Sequence, residues 1–261
     1  MEFYKKILLS SILICAVLMV IMSLFVMSFS PIFTGTVDDH MGNTLSINDT
    51  SKGGISGIIA NASGGDVILL DSGNYTGTNN TGITINKSIT LKGNGPTDTV
   101  IIDGKSLTRI FEVENNLRVT FTNITFINAD ATDNGGAISN PNNNTRIKFI
   151  NCTFTNNKIT NTTATDGFGG AIYNTGVVNL VSCNFTDISA AGSGGAIYND
   201  GLVMGLVDCV FTNISVAVSG GIIFGDGLVM GLVNSNFNNI TVNNSTATNS
   251  TATNNEVNLS F

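Results

Sequence analysis

The fold class predicted by the sequence is a single-stranded parallel β-helix, an all-β solenoid of roughly six to eight coils, and three repeats predict it. Phe followed two residues later by Asn or Asp recurs at Phe126/Asn128, Phe154/Asn156, Phe185/Asp187, Phe211/Asn213 and Phe237/Asn239, with Phe spacings of 28, 31, 26 and 26. A Gly-Gly pair follows each of the first four, at Gly135/Gly136, Gly169/Gly170, Gly194/Gly195 and Gly220/Gly221. The octapeptide DGLVMGLV fills Asp200–Val207 and again Asp226–Val233, 26 residues later. Units this short fall well below the ~40–45 residues of a propeller blade. A chain rich in Gly, Asn, Thr and Val is also poor in helix formers.

Alignment on the Phe shows how one unit must bend. Seven residues before it stand Val119, Ile147, Val178, Met204 and Met230, and five before it Phe121, Phe149, Leu180, Leu206 and Leu232. Two before it stand Ile124, Cys152, Cys183, Cys209 and Ser235. The first two sets share one parity and the third shares the parity of the Phe, so a straight strand cannot bury all of them and the chain must turn between them. A further apolar site, Ile138, Ile172, Ile197 or Ile223, follows each Gly pair. Each unit therefore supplies about three short inward strands separated by corners. Coils stacked ~4.8 Å apart place like residues above like. The Phe and Cys columns are expected inside. Asn128, Asn156, Asp187, Asn213 and Asn239 are expected at a corner, where Asn tolerates a left-handed backbone and its amide can bond along the axis.

Before Phe126 the repeat is degenerate, yet Asp66–Gly73, Gly82–Gly93, Thr99–Gly104 and Arg109–Asn116 are strand-like runs between Gly and Asn turns. The expected division is residues 31–62 as cap or linker, 63–240 as β-helix, and 241–261 as a low-complexity, largely disordered tail. If nothing caps the Phe237 coil, its edge is a site for end-to-end pairing with another chain.

Residues 1–30 are expected to form a hydrophobic helix of signal type: Lys5 and Lys6 precede an apolar run from Ile7 to about Phe29. The run reaches the ~20 residues needed to span a bilayer, so both a retained membrane anchor and a cleaved signal are expected readings, and either exports the remainder. The net charge of −7 argues against a nucleic-acid partner, which requires clustered Lys and Arg. Beyond Cys15 three cysteines remain, an odd number that implies no complete disulfide framework. Cys152, Cys183 and Cys209 read as small buried residues, with no metal or cofactor expected.

The repeats resemble those of the polymorphic outer-membrane protein family and of adhesin-like surface proteins of methanogenic archaea. The resemblance covers about residues 60–240. It rests on GGAISN at Gly135–Asn140, GGAIYN at Gly169–Asn174 and Gly194–Asn199, CTFTNN at Cys152–Asn157, and SITLKGNGPTDTVIIDG at Ser88–Gly104. It implies a right-handed coil, a place at the cell surface, and binding to host, cell or glycan surfaces through an unidentified receptor. The fourth Gly pair departs from the pattern, continuing Ile-Ile-Phe.

Related right-handed helices include polysaccharide lyases and hydrolases, the alternative function; a passive envelope component is a third. Hydrolysis needs paired carboxylates. Asp130 and Asp133 are neighbours but read as a solvated turn. Arg146-Ile147-Lys148 lacks the His and Asp-Asp companions of a polygalacturonase, because His40 and Asp38-Asp39 lie outside the coils. Arg109 and Arg118 read as surface residues. The chain is thus expected not to be an enzyme. Tyr173, Tyr198 and Phe224 follow the inward Ile and form a stripe that either binds a ligand such as carbohydrate or packs a corner. Of sixteen Asn-x-Ser/Thr sequons beyond residue 30, Asn48, Asn61, Asn74, Asn79, Asn161, Asn243 and Asn249 are candidates for N-glycosylation.

Overall fold

A computed structural model describes residues 42–160, 167–217, 220–242 and 250–252. The hydrophobic run 7–29 and the sequons Asn161, Asn243 and Asn249 lie outside the described residues. Three parallel sheets run along the axis of a β-solenoid of about seven turns. The first sheet stacks Thr44–Ile47, Val67–Asp71, Thr90–Asn94, Arg118–Thr122, Arg146–Ile150, Val177–Val181 and Leu202–Val207, ending in Leu228–Val229 and Leu232–Val233. The second stacks Gly73–Thr76, Val100–Asp103, Thr125–Ile127, Thr153–Thr155, Asn184–Ala190, Val210–Val216 and Asn236–Val242. The third stacks Ile83–Ile85, Phe111–Val113, Ile138–Asn140, Ile172–Asn174, Ile197–Asn199 and Ile223–Phe224.

The corners are set by residues that accept positive φ. Between the first and second sheets stand Asn123, Asn151, Ser182, Asp208 and Asn234, with φ between 49° and 53°. Past the Phe stand Asn128, Asn156, Asp187, Asn213 and Asn239, with φ of 51° to 55°. Asn is the residue most often found there after Gly, because its short amide bonds locally. These amides also form axial ladders: Asn156 Nδ2 donates to Asn128 (2.6 Å), Asn213 to Asp187 (2.8 Å) and Asn239 to Asn213 (2.6 Å). Each side chain donates toward the N-terminal end. Asp187 has no proton to donate, so no bond runs from it to Asn156. The Gly-pair corner is tighter. Gly169 has φ 73°, and a Cβ there would lie 2.1 Å from the Ile172 carbonyl oxygen, so only Gly fits.

Between the corners, in-register pairing puts like side chains together. Phe126, Phe154, Phe185, Phe211 and Phe237 are direct partners in adjacent strands. Their rings stack with centroids 4.9, 4.7, 4.6 and 5.4 Å apart. Phe121 and Phe149 of the first sheet stack at 5.2 Å and meet this column edge-on. Aromatic pairs gain ~0.5–1.5 kcal/mol beyond their area burial in such arrangements.

Beside the Phe column run Cys152, Cys183 and Cys209, buried and unbridged. The Cys152 thiol donates to Ile150 O (3.5 Å), Cys183 to Val181 O (3.4 Å) and Cys209 to Val207 O (3.4 Å). Ser235 makes the same bond to Val233 O (3.2 Å) in the last coil. Each of these carbonyls already accepts a backbone amide of the preceding coil, from Asn123, Asn151, Ser182 and Asp208 in turn, so the thiols and the Ser235 hydroxyl add a second bond at the bend. Burial pushes the Cys152 thiol up to about 12, so it stays protonated. Cys183 is also held well above its ordinary value, first by its hydrogen bond with Cys209 and then by burial.

One inward column is corrected. Met204 and Met230 were expected to face the core, but Val203 pairs with Val178, and the register then shifts so that Asn179 meets Gly205. The bulge inserts one residue and turns Met204 outward, 42% exposed, and Met230 likewise. The parity rule fails at a bulge because two residues there oppose one.

At the N-terminal end a strand and a helix cover the first coil. Thr44–Ile47 pairs with Val67–Leu70. The helix Gly54–Asn61 buries Ile55 and Ile59 against the core. Its free carbonyls are closed by Lys87, whose Nζ donates to Ile59, Ala60 and Ala62 (3.0, 2.8 and 2.7 Å), and a cation there suits the helix dipole. At the other end the second sheet extends through Val242, and Ser250–Ala252 adds an antiparallel strand.

Two stability predictions follow from the columns. Phe185→Ala leaves a cavity between two stacked rings and is expected to cost about 3–5 kcal/mol in guanidinium unfolding; a loss under about 1 kcal/mol would contradict the packing described. Asp187→Asn supplies the missing donor to Asn156 and is expected to raise stability by about 0.5–1 kcal/mol. An unchanged or lowered unfolding midpoint would show that the ladder is not limited there.

Candidate functional site

The third sheet has three-residue strands, so a single side chain per coil faces outward. These residues are Thr84, Glu112, Ser139, Tyr173, Tyr198 and Phe224, which pair in register. The last three are the aromatic stripe, and the structure brings them together on the outer surface. Tyr173 and Tyr198 stack at 5.5 Å and 13°, and Phe224 tilts against Tyr198 at 6.1 Å and 55°. A fourth ring, Phe168, packs on Tyr198 at 4.5 Å. Phe168 precedes Gly169, where other repeats carry Asn134, Ser193 and Ser219, so no column marked it in the sequence. All four rings are half-buried. Their faces are largely spent on one another, which leaves edges and phenol oxygens to meet a ligand.

The electrostatics beside the rings are acidic. Burial raises the Tyr198 phenol from its ordinary 10.0 to about 12, reinforced by the Asp200 carboxylate that accepts its hydrogen bond, and by Tyr173 and Asp226. Burial and then Asp200 also raise Tyr173. Both phenols are therefore donors throughout the physiological range, flanked by exposed carboxylate acceptors. Asp200 and Asp226 open the two copies of DGLVMGLV and stack, with Asp226 N donating to Asp200 Oδ1 (3.2 Å).

Three buried amides support the stripe from inside. Asn140 Nδ2 donates to Asn174 (2.8 Å), and Asn174 Nδ2 to Asn199 (2.7 Å). These close the corner after the outward residues Ser139, Tyr173 and Tyr198. Their mark in the sequence is a common place at the end of GGAIxN. Gly225 stands at this place in the next coil, and the ladder ends there.

The residues weighed for catalysis are dispersed. Asp130 takes Lys158 (3.4 Å) and the Thr160 hydroxyl (2.9 Å). Asp133 is not simply a solvated turn residue, since it ion-pairs with Arg109. Nor is Arg109 a free surface residue. Its side chain is only 13% exposed and also holds Glu112 (2.9 Å), Asn134 O (2.7 Å) and Gly135 O (3.1 Å), clamping the Gly-pair corner of the next coil. Arg146 and Lys148 point outward on the first sheet, and Arg146 lies beside Arg118. Among the described residues, no three His, Cys, Asp or Glu side chains gather as a metal site. Also among them, no helix is long and apolar enough to cross a membrane. The described sequons Asn48, Asn61, Asn74 and Asn79 are exposed on the first coils. No protein-family model matches the chain, and a search of curated proteins finds no match.

The raised phenols fix a pH dependence. Folded-state values above those of the unfolded chain stabilise fully below about pH 10, and that stability is lost as pH rises toward about 12. Unfolding free energy is expected to be level from pH 7 to 9 and to fall above 10, with Tyr198→Phe weakening the fall. Stability that rises in alkali would contradict this.

Proposed function

We propose that the chain is an exported, adhesin-like surface protein that displays a right-handed β-solenoid and uses the Tyr173–Tyr198–Phe224 ridge to contact glycans or a partner surface. The observation that carries this reading is the ridge itself: stacked aromatics on the outer face, with protonated phenols and the Asp200 and Asp226 carboxylates beside them. Donors and acceptors alternating along an axis suit a polyhydroxylated chain better than an apolar ligand. The resemblance of the repeats to surface proteins and the apolar run 7–29 support export, with that run as anchor or cleaved signal. Exposed Asn48, Asn61, Asn74 and Asn79 are proposed to carry glycans. The mutual stacking of the rings favours a second reading, a passive envelope component in which the ridge only packs a corner.

Retention of the full chain on immobilised glycans and whole cells separates the two. Tyr198→Ala is expected to weaken retention about tenfold, equivalent to ~1.4 kcal/mol, while Tyr75→Phe, far from the ridge, leaves it unchanged. Equal retention by wild type and Tyr198→Ala, with the fold intact by circular dichroism, would remove the ridge from the function. Reducing ends or unsaturated uronates released from polysaccharide would restore the enzymatic alternative.

A further inference from the structure

The outer face of the first sheet is divided along the solenoid axis. Its earlier rungs carry cations: Lys92, then Arg118, then Arg146 and Lys148, all exposed. Among the described residues none of the four enters an ion pair, whereas Lys105, Arg109 and Lys158 each hold a carboxylate. The one carboxylate on this face among the described residues is Asp71, in the rung before Lys92, where it accepts from Asn94 Nδ2 (2.9 Å). A chain of net charge −7 thus keeps one face locally basic.

The later rungs of the same face are apolar. Register places Val177 and Val181 beside Leu202 and Val207, and those beside Leu228 and Val233. Ile150 pairs with Val181 and begins the group. The bulge adds Met204, which stands exposed, as do Leu228, Met230 and Val233. A sheet with one face on the core ordinarily turns polar residues outward, so this apolar area asks for an occupant. Three rungs ~4.8 Å apart on strands ~17 Å long make roughly 250 Å², well short of the ~800 Å² per partner that a stable dimer buries. Face-to-face pairing with a second copy also mismatches the charges. With the two axes parallel, cationic rungs meet cationic rungs; with them antiparallel, cations meet Leu and Met. An anionic lipid surface has neither fault. Its phosphates take the cations, its acyl boundary takes the apolar side chains, and the two contributions add. Unbranched Met side chains also adapt to a disordered acyl boundary.

We propose that the outer face of the first sheet docks on an anionic lipid surface, with Arg118, Arg146 and Lys148 on the headgroups and Leu202, Met204, Leu228 and Met230 in the interface. The third sheet faces another way, so the Tyr173–Tyr198–Phe224 ridge stays open to a partner while the first sheet is seated. The docking uses none of the ridge residues and goes beyond the binding proposed for them.

The chain has no Trp, so a single introduced indole reports its own surroundings. Full chains carrying Met204→Trp, Met230→Trp or Thr186→Trp are reconstituted in vesicles with brominated acyl chains, made of phosphatidylcholine alone or of phosphatidylcholine with phosphatidylglycerol. Thr186 lies outward on the second sheet and serves as the control. Circular dichroism checks the fold of each chain. In the anionic vesicles bromine is expected to quench both Met variants about threefold more than Thr186→Trp. Adding Arg118→Gln, Arg146→Gln and Lys148→Gln is expected to remove that excess, and high salt to weaken it. Equal quenching at the Met and Thr186 positions overturns the proposal, as does an excess that is the same in neutral vesicles and survives the triple substitution. An indole emission shifted to the blue without bromine quenching, and rising with the protein-to-lipid ratio, overturns it in favour of a second copy.

Discussion

Every feature of this molecule depends on one constraint: each coil must present its backbone in register to the coil before it. A parallel strand pair bonds evenly along its length, so a rung with different corner geometry would break bonds on both sides. The corner residue is therefore repeated. Left-handed φ recurs from Asn123 to Asn234 and from Asn128 to Asn239, and positive φ recurs at the first Gly of each pair. The same rule governs irregularities. The bulge at Met204 and Gly205 has its counterpart at Met230 and Gly231, because a bulged rung is most easily followed by another. The ladders of Asn amides and Phe rings are consequences of that register. They add stability along the axis only because like already lies above like.

This explains which parts of the architecture were legible in the sequence. Columns whose residues stay chemically alike, such as Phe126–Phe237 and the Asn corner, show as spaced repeats, since neighbouring rungs select for the same shape. Met204 misled because periodicity fixes a face only while each residue opposes one partner. Val203 stands beside it and is as apolar, so composition could not decide between them. Phe168 and Arg109 were illegible for a different reason. Each acts once, Phe168 by covering Tyr198 and Arg109 by reaching from its own coil to the 133–135 corner, and a single occurrence leaves no period to detect. The buried Asn140–Asn174–Asn199 ladder was present in the repeat, but a polar residue ending a short strand reads as a turn until its burial is known.

The candidate site follows from the same stacking. In a sheet of three-residue strands, one outward position per coil becomes a continuous ridge, and neighbouring aromatics there must stack on each other before they can meet anything else. That limits the chemistry available. The ring faces of Tyr173 and Tyr198 are turned toward one another, so the surface offers ring edges, phenol hydrogens and the carboxylates of Asp200 and Asp226. Hydrogen bonding directed along the axis is what such a surface can do.

The two ends of the solenoid meet the register constraint differently. At the N-terminal end the helix Gly54–Asn61 lays Ile55 and Ile59 over the first coil, and Lys87 closes its carbonyls, so this capping helix is unlike a rung. At the C-terminal end the final rung repeats DGLVMGLV, the sequence of the rung beneath it. A rung that fits its predecessor presents, on its far side, the same surface that its predecessor presented to it. Duplicating a coil therefore lengthens the solenoid without ending it, and each added copy carries the exposed Leu, Met and Val edge one step further along. Only a segment whose sequence departs from the rung can stop that progression. The antiparallel strand Ser250–Ala252 is such a departure, since a reversed strand satisfies the edge beneath it while breaking the parallel register that another coil would need.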